Sequence, residues 1–267
     1  MHDYEPLVSI IIPTHNRHAL LLRSAKSVLA QSYYHFEIIV IDNNSDIPAV
    51  ALEALQNRRI RIFRTSKYLT AALARNLGLK KARGKYICFL DDDDYCFPEK
   101  LKMQVNFLEN NKDIDFVYSD IKQIDKKGNV ICLQGGPFTV EGMLLYRFIS
   151  INGCMVRDYV FEDLRFDEKM TTFEDQKLFF QIGLQYKVAY MSGIVGVWNR
   201  EGRMDQLSNR SIRRSYQNWK RLCEYFEPEI LKYKKVKQYY FGKMAVLSFL
   251  NGDVRLCVES AMKLLKK

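Results

Sequence analysis

The residues most capable of chemistry in this chain are four consecutive carboxylates, Asp91-Asp92-Asp93-Asp94, which follow the apolar stretch Tyr86 to Leu90. Four adjacent carboxylates repel one another unless a cation sits among them. Hard oxygen ligands select magnesium or manganese, and magnesium completes its shell with water and substrate phosphates. Asp91 and Asp93, one residue apart at a strand tip, are the candidate metal ligands. A solvated acidic turn, or a charge cluster at a helix amino terminus, is the other reading of the same run. Two more polar segments end apolar stretches: Pro13-Thr14-His15-Asn16-Arg17 and Asp42-Asn43-Asn44-Ser45. In an open parallel sheet, ligands bind outside the carboxyl ends of the strands. Three strand ends therefore converge on one polar, acidic pocket, suited to a nucleotide base and ribose on one side and a metal on the other.

These segments need elements to hold them. Residues 7 to 13, Leu-Val-Ser-Ile-Ile-Ile-Pro, are apolar on both faces, as in a parallel strand covered by helices. A helix is expected next, with Leu21, Ala25, Val28 and Leu29 on one face. Phe36 to Ile41 predicts a second strand, followed by a helix near residues 47 to 57 and a short strand from Ile60 to Arg64. A helix from about Thr70 to Ala82 stops near Gly84, and strand Tyr86 to Leu90 runs into the aspartates. Pro98 suits the first turn of a further helix, whose Leu101, Val105 and Leu108 share a face. Four successive β-then-α units predict an α/β class, doubly wound, Rossmann-like sheet.

After residue 114 the rhythm changes. Asp115 to Asp125 and Val130 to Gln134 flank a hairpin turn. Short strands near Gly153 to Val156, Val188 to Met191 and Gly196 to Trp198 surround a helix from about Phe173 to Leu184. From Ser208 the pattern is helical, with breaks expected at Pro228 and Asn251-Gly252.

Other chemistries find little support. The six cysteines are scattered without a Cys-x-x-Cys pair, and the four histidines, all within the first 35 residues, form no His-x-x-x-His pair. Gly78 to Tyr86 faintly resembles a phosphate-binding loop, but five residues separate its glycines and Tyr86 replaces the metal-binding Ser or Thr. No Gly-x-Gly-x-x-Gly fingerprint or Gly-x-Ser-x-Gly elbow is present.

Four segments in order, Val8 to Arg17, Ile39 to Ser45, Ala74-Arg75-Asn76-Leu77-Gly78 and Phe89 to Asp94, resemble glycosyltransferase family 2 over roughly the first 110 residues. The pair Glu174-Asp175 is similar to the family's acceptor-side motif and extends the match to about residue 200. The resemblance implies a GT-A fold, a nucleotide-sugar donor, a divalent cation (Mn2+ or Mg2+) and inversion at the anomeric carbon. It implies that Pro13, Thr14, Asn16 and Arg17 contact the nucleotide, with Asp42 on the base, commonly uracil. Arg75 would lie beside the donor diphosphate, and Asp91, Asp92 and Asp93 would form the Asp-x-Asp element, with Asp93 the principal metal ligand. Asp175 would be the general base, with Glu174 and Trp198 on the acceptor side. Members often carry a glycine shortly before Ala-Arg-Asn, where this chain has Thr70-Ala71-Ala72-Leu73. The implied task is adding one sugar to a glycan or polyprenyl-linked glycan in bacterial surface polysaccharide synthesis, such as O-antigen or capsule. Processive synthesis with export is not expected, since no Gln-x-x-Arg-Trp motif is present.

Charge divides the chain. The formal net charge is +10, yet 16 basic against 7 acidic residues lie between Arg200 and Lys267, so the body is near neutral. Arg213, Arg214, Lys220 and Arg221 sit among Tyr216 and Trp219; Lys232, Lys234, Lys235 and Lys237 sit among Tyr233, Tyr239 and Tyr240. Basic residues with interfacial aromatics suit a helix on anionic lipid; the other reading is aromatics in the core with lysines solvating the outer face. With 48% apolar residues, no run approaching the roughly 18 needed to span a bilayer and no signal-peptide pattern at Met1 to Pro6, the expectation is a cytoplasmic enzyme with peripheral contact on the inner face of the membrane. Residues 1–205 are expected to form the catalytic domain, 1–110 binding the nucleotide and 111–205 the acceptor, and 206–267 a basic helical extension. A sugar-phosphate nucleotidyltransferase is the enzyme alternative, although Pro13 to Arg17 lacks its Gly-rich loop. A basic nucleic-acid-binding module is the non-enzyme alternative, and no nucleic acid is expected as partner.

Overall fold

Apolar segments buried on both faces start the central sheet, with a half-exposed strand at its edge. In the computed structural model, which describes residues 5–46, 57–125, 127–133, 135–145, 149–199 and 212–265, β1 (Val8–Thr14) pairs in parallel with β2 (Phe36–Asp42), and β2 with β3 (Ile60–Arg64). On its other side β1 pairs in parallel with β4 (Tyr86–Phe89). Helices α1 (His18–Leu29), α2 (Ala71–Lys81) and, after the two-residue strand β5 (Tyr95–Cys96), α3 (Lys100–Asn110) follow the strand ends. The doubly wound half is thus as expected. The helix expected near 47 to 57 falls almost wholly on residues outside the described ones.

Close approach of α2 to β1 requires Gly78: a Cβ there would stand 2.4 Å from Ile11, whose side chain is fully buried. Thr70 caps α2, its hydroxyl accepting from the Leu73 amide at 3.3 Å. Thus Thr70 fixes where Arg75 and Asn76 face, and Gly78 fixes how near they come to the strand ends.

The second half is mixed. The hairpin β6 (Phe116–Ile124) and β7 (Val130–Leu133) is followed by α4 (Val140–Leu144), then β8 (Cys154–Arg157), α5 (Val160–Asp163), α6 (Glu174–Gln185) and β9 (Val188–Asn199). Strand β8 runs antiparallel to both β4 and β6, joining the halves into one sheet of order β3-β2-β1-β4-β8-β6-β9-β5, with β7 beside β6. Two expected strands, Val188 to Met191 and Gly196 to Trp198, are one strand. Its register against β6 slips near Asp120, and Gly193 takes φ +120 there, so a bulge reads as a gap in the sequence.

Among the described residues, three helices follow: α7 (Ile212–Lys232), α8 (Lys234–Leu250) and α9 (Val254–Leu265). The break expected at Pro228 is absent, and α7 runs through it. Leu222, Phe226 and Ile230 bury one face on both sides of the proline, while Pro228 and Glu224, whose carbonyl loses its donor, are exposed to water. The break expected at Asn251-Gly252 is present. Tyr216, Trp219 and Tyr240 are buried, so most of the tail aromatics belong to the core rather than to an interface. They join one apolar cluster with Phe89, Phe116 and Phe179 of the body. Among the described residues no helix is long and apolar enough to cross a membrane.

Trp219 is the knot of this union, stacked on Tyr240 at 4.8 Å and edge-on to Phe173 at 5.8 Å. Trp219→Ala should lower stability by about 3–5 kcal/mol, read as one shifted urea transition. A separate early loss of helix, with the main transition unmoved, would show that the tail is not part of this core.

Candidate active site

Strand register brings the first two loops together: Thr14 ends β1 beside Asp42 of β2, and β4 ends at the same edge. Pro13, half-buried, pairs with Ile41. Asn16 turns left-handed at φ 54, which sends its amide to the Ser45 hydroxyl at 2.9 Å. The Ser45 amide donates in turn to Asp42 Oδ1 at 3.1 Å, so Asn16, Ser45 and Asp42 form one chain. Asp42 is buried beneath that loop. Asn43 holds the next loop by both ends of its amide, donating to the Leu69 carbonyl and accepting from the Leu69 amide.

The four aspartates alternate. Asp92 and Asp94 are buried; Asp91 and Asp93 are partly open. Asp92 accepts from the Thr14 hydroxyl at 2.7 Å and from Arg17 at 3.1 Å. Burial pushes its carboxyl up, to about 6, against the pull of Arg17 and Thr14. Asp94 accepts from the Asn152 side chain and from the Asn199 amide. Burial, then repulsion from Asp91 and Asp93, raise it well above the usual carboxylate range. Asn152 also accepts from the Asp91 amide at 2.9 Å, so one buried side chain grips the turn at two points.

Two open carboxylates remain. Arg17 reaches Asp93 at 3.4 Å, and Asp91 gives one oxygen to Arg75. Among the described residues no group of three or more histidine, cysteine or carboxylate side chains forms a closed metal cage. Two partly exposed hard oxygen donors, with Asp92 and Asp94 buried and hydrogen-bonded beside them, fit a magnesium-like ion that takes the rest of its shell from water and phosphate.

Arg75 is buried and forked, with Nη2 on Asp91 and Nη1 on Glu174, both at 2.8 Å. Burial alone would lower its basicity, but Asp91, Glu174 and Asp175 outweigh it and hold the guanidinium charged. The structure therefore places Arg75 between carboxylates rather than with its fork open. Its neighbour Asn76 exchanges two hydrogen bonds with the Phe166 backbone.

Asp175 lies in the first turn of α6, partly exposed, accepting from the Gln176 amide at 2.8 Å. Desolvation, then Glu174, push its carboxyl up to about 7, with Arg75 opposing. Lys177 pairs with Asp167, not with Asp175. Before α6, Phe173 is left-handed at φ 64, an uncommon conformation for an aromatic residue. The loop there is gripped by Asn218 of α7, which donates to the Thr171 and Thr172 hydroxyls at 3.1 and 2.8 Å. Trp198, half-buried, precedes Asn199 on β9 and so sits next to the strand end that contacts Asp94. Asn152, Asn199 and Asn218 are the site residues that sequence reasoning missed; a lone asparagine far along the chain carries no spacing signal.

The family model for glycosyl transferase family 2 matches residues 9–152. The chain belongs to that family. Among its relatives, an uncharacterized glycosyltransferase of Rickettsia felis is 41% identical over 133 residues, covering 49% of this chain and 21% of that protein. An Escherichia coli relative, UDP-Glc:alpha-D-GlcNAc-diphosphoundecaprenol beta-1,3-glucosyltransferase WfgD, is 34% identical over 159 residues, covering 58% and 60%. The chain thus spans about a fifth to three-fifths of the length of these relatives. The S. aureus TarS 1-349 structure in complex with UDP-GlcNAc superposes with a TM-score of 0.67 at 20% identity, covering 79% of this chain and 64% of that one. That likeness shows the fold, which is GT-A with a helical carboxyl-terminal region. In this family-2 chain, the matched segment holds both strand-end loops, Arg75, the aspartates and Asn152.

Asn152→Ala should leave the Asp91 amide without its side-chain acceptor, strip one of two hydrogen bonds from Asp94, and cost about 1–3 kcal/mol, measured by urea unfolding. Unchanged stability would mean that the aspartate turn holds itself.

Proposed function

We propose that this chain transfers one sugar from a nucleotide-sugar, a UDP-sugar, to a hydroxyl of a lipid-linked glycan, with inversion, in bacterial surface-glycan synthesis. The observation that carries the reading is the alternation of the aspartates, two outward and two inward, across Arg75 from a half-open Asp175 with a raised pKa. Support for the donor and acceptor classes comes from the WfgD relative, named for UDP-Glc and a diphosphoundecaprenol-linked sugar, and from the UDP-GlcNAc bound to TarS.

The loops of Pro13 to Arg17 and Asp42 hold the base and ribose. Asp91 and Asp93 hold a divalent cation, Mn2+ or Mg2+, which when bound neutralises charge on the departing diphosphate. Arg17, already beside Asp92 and Asp93, adds positive charge at the same edge. Arg75 fixes Asp91 and Glu174 relative to each other, and so sets the distance between the donor edge and the start of α6. Asp175 takes the acceptor hydroxyl proton as that oxygen bonds to the anomeric carbon and the carbon–diphosphate bond breaks. One base on the face opposite the leaving group is the arrangement for a single displacement with inversion. Glu174 is occupied by Arg75, which leaves Asp175 as the carboxylate available for proton transfer. Trp198 completes the acceptor side. A peripheral contact with an anionic membrane brings the enzyme to a lipid-linked acceptor.

A panel of nucleotide-sugars, scored by nucleotide release with a lipid-diphosphate glycan acceptor and Mn2+ or Mg2+, tests the reading. Asp175→Asn should keep donor binding and lose roughly two to four orders of magnitude in turnover. Wild-type turnover in that variant at saturating acceptor would show the base to be elsewhere.

The raised Asp175 pKa has a definite sign in kinetics. A base protonated below about 7 cannot accept a proton, so kcat/KM for the acceptor should fall about tenfold per pH unit below that value. A profile flat down to pH 5 in wild type would contradict it.

A further inference from the structure

Among the described residues, a group of exposed apolar side chains lies on the last two helices. Val246, Phe249 and Leu250 on α8, and Val254, Val258, Met262 and Leu265 on α9, are all exposed. Val254, Val258, Met262 and Leu265 follow i, i+4, i+8 and i+11, so they share one face of α9. The other face of that helix is already used: Ser260 is buried, and Leu256 and Leu264 pack on the core cluster. Phe249, 72% exposed, and Val254, 69% exposed, flank the short turn between the helices and make its tip apolar.

The surroundings are basic. From Lys232 to Lys267 there are nine basic and two acidic residues. Lys235 precedes Val246 by 11 residues and Phe249 by 14, close to whole numbers of turns, and all three are exposed on one face of α8. A nucleic acid would match the charge and have no use for the ridge. A second copy would cover the ridge but bring the same positive excess against itself. An anionic lipid surface answers both features, its phosphates meeting the lysines and its acyl boundary taking the apolar side chains.

We propose that the α8–α9 hairpin is the membrane-docking edge of this protein, with Val246, Phe249, Leu250 and Val254 seated in the headgroup–acyl boundary of an anionic bilayer. Its apolar side chains differ from those of the tail's aromatic-basic clusters, whose Tyr216, Trp219 and Tyr240 are buried, while the lysines of the second cluster are shared. The proposal deepens the reading of a lipid-linked acceptor, and the binding itself needs neither donor nor acceptor.

Co-sedimentation with phosphatidylglycerol-containing and with pure phosphatidylcholine vesicles tests it on the full chain. Wild type should pellet with the anionic vesicles at low salt and stay in solution with the neutral ones. Phe249→Ser with Val254→Ser, both on the surface, should lower the partition by about tenfold or more, with circular dichroism and turnover on a short acceptor without lipid unchanged. Neutralising Lys232, Lys234, Lys235 and Lys237 together should also release the protein and flatten its salt dependence. Wild type remaining in solution with anionic vesicles, or the ridge variant binding as wild type does, would overturn the proposal. So would a dimer in size-exclusion chromatography that the ridge variant dissociates, since the occupant is then a second copy. Loss of turnover on the lipid-free acceptor in wild type, by contrast, strikes the transferase reading and leaves vesicle binding standing.

Discussion

The site is organised around a buried guanidinium. Arg75 leaves water at a cost of several kcal/mol for a lone ion, and that cost is offset only because both arms of its fork find carboxylates. Those carboxylates come from opposite parts of the fold: Asp91 from the end of β4, Glu174 from the start of α6. The ion pairs therefore set the spacing between the aspartate turn after β4 and the start of α6. Removing Arg75 would leave two carboxylates and a raised Asp175 facing one another with no counter-charge, so its role is to position as much as to attract. The glycine at position 78 serves the same end, because only a side chain of that size lets α2 lie close enough on Ile11.

A second set of contacts reaches the site from the tail. Asn218 holds Thr171 and Thr172, and Trp219 packs on Phe173, whose left-handed backbone turns the chain into Glu174 and Asp175. A strained aromatic at such a point persists only when its surroundings over-determine it. Helix α7 supplies those surroundings. The carboxyl-terminal helices thus brace the acidic start of α6 on one side and carry the exposed apolar ridge on the other.

Much of this was legible in the sequence, for physical reasons. Strands such as Val8–Thr14 are apolar on both faces and end in polar residues, so both the parallel sheet and its functional edge show in the pattern. The aspartate run was visible as a repulsive cluster, but its alternation was not, because which carboxylates are buried depends on Thr14, Asn152 and Asn199, which come from distant parts of the chain. Arg75 was visible as a motif residue, and its double ion pair was not, since Glu174 lies 99 residues away. Pro228 misled because a helix can pass through a proline on its exposed face. Tail aromatics misled because the same tyrosine and tryptophan content serves a core or an interface, and only packing decides.

The central claim is that the outward carboxylates at the end of β4 hold a nucleotide diphosphate through a divalent cation. Calorimetric titration of UDP into wild type and Asp93→Ala, with Mn2+ and with excess chelator, tests it most directly. The expected result is UDP binding to wild type that requires the cation and is lost in the variant. Equal UDP affinity with and without the cation, or full affinity in Asp93→Ala, would contradict it.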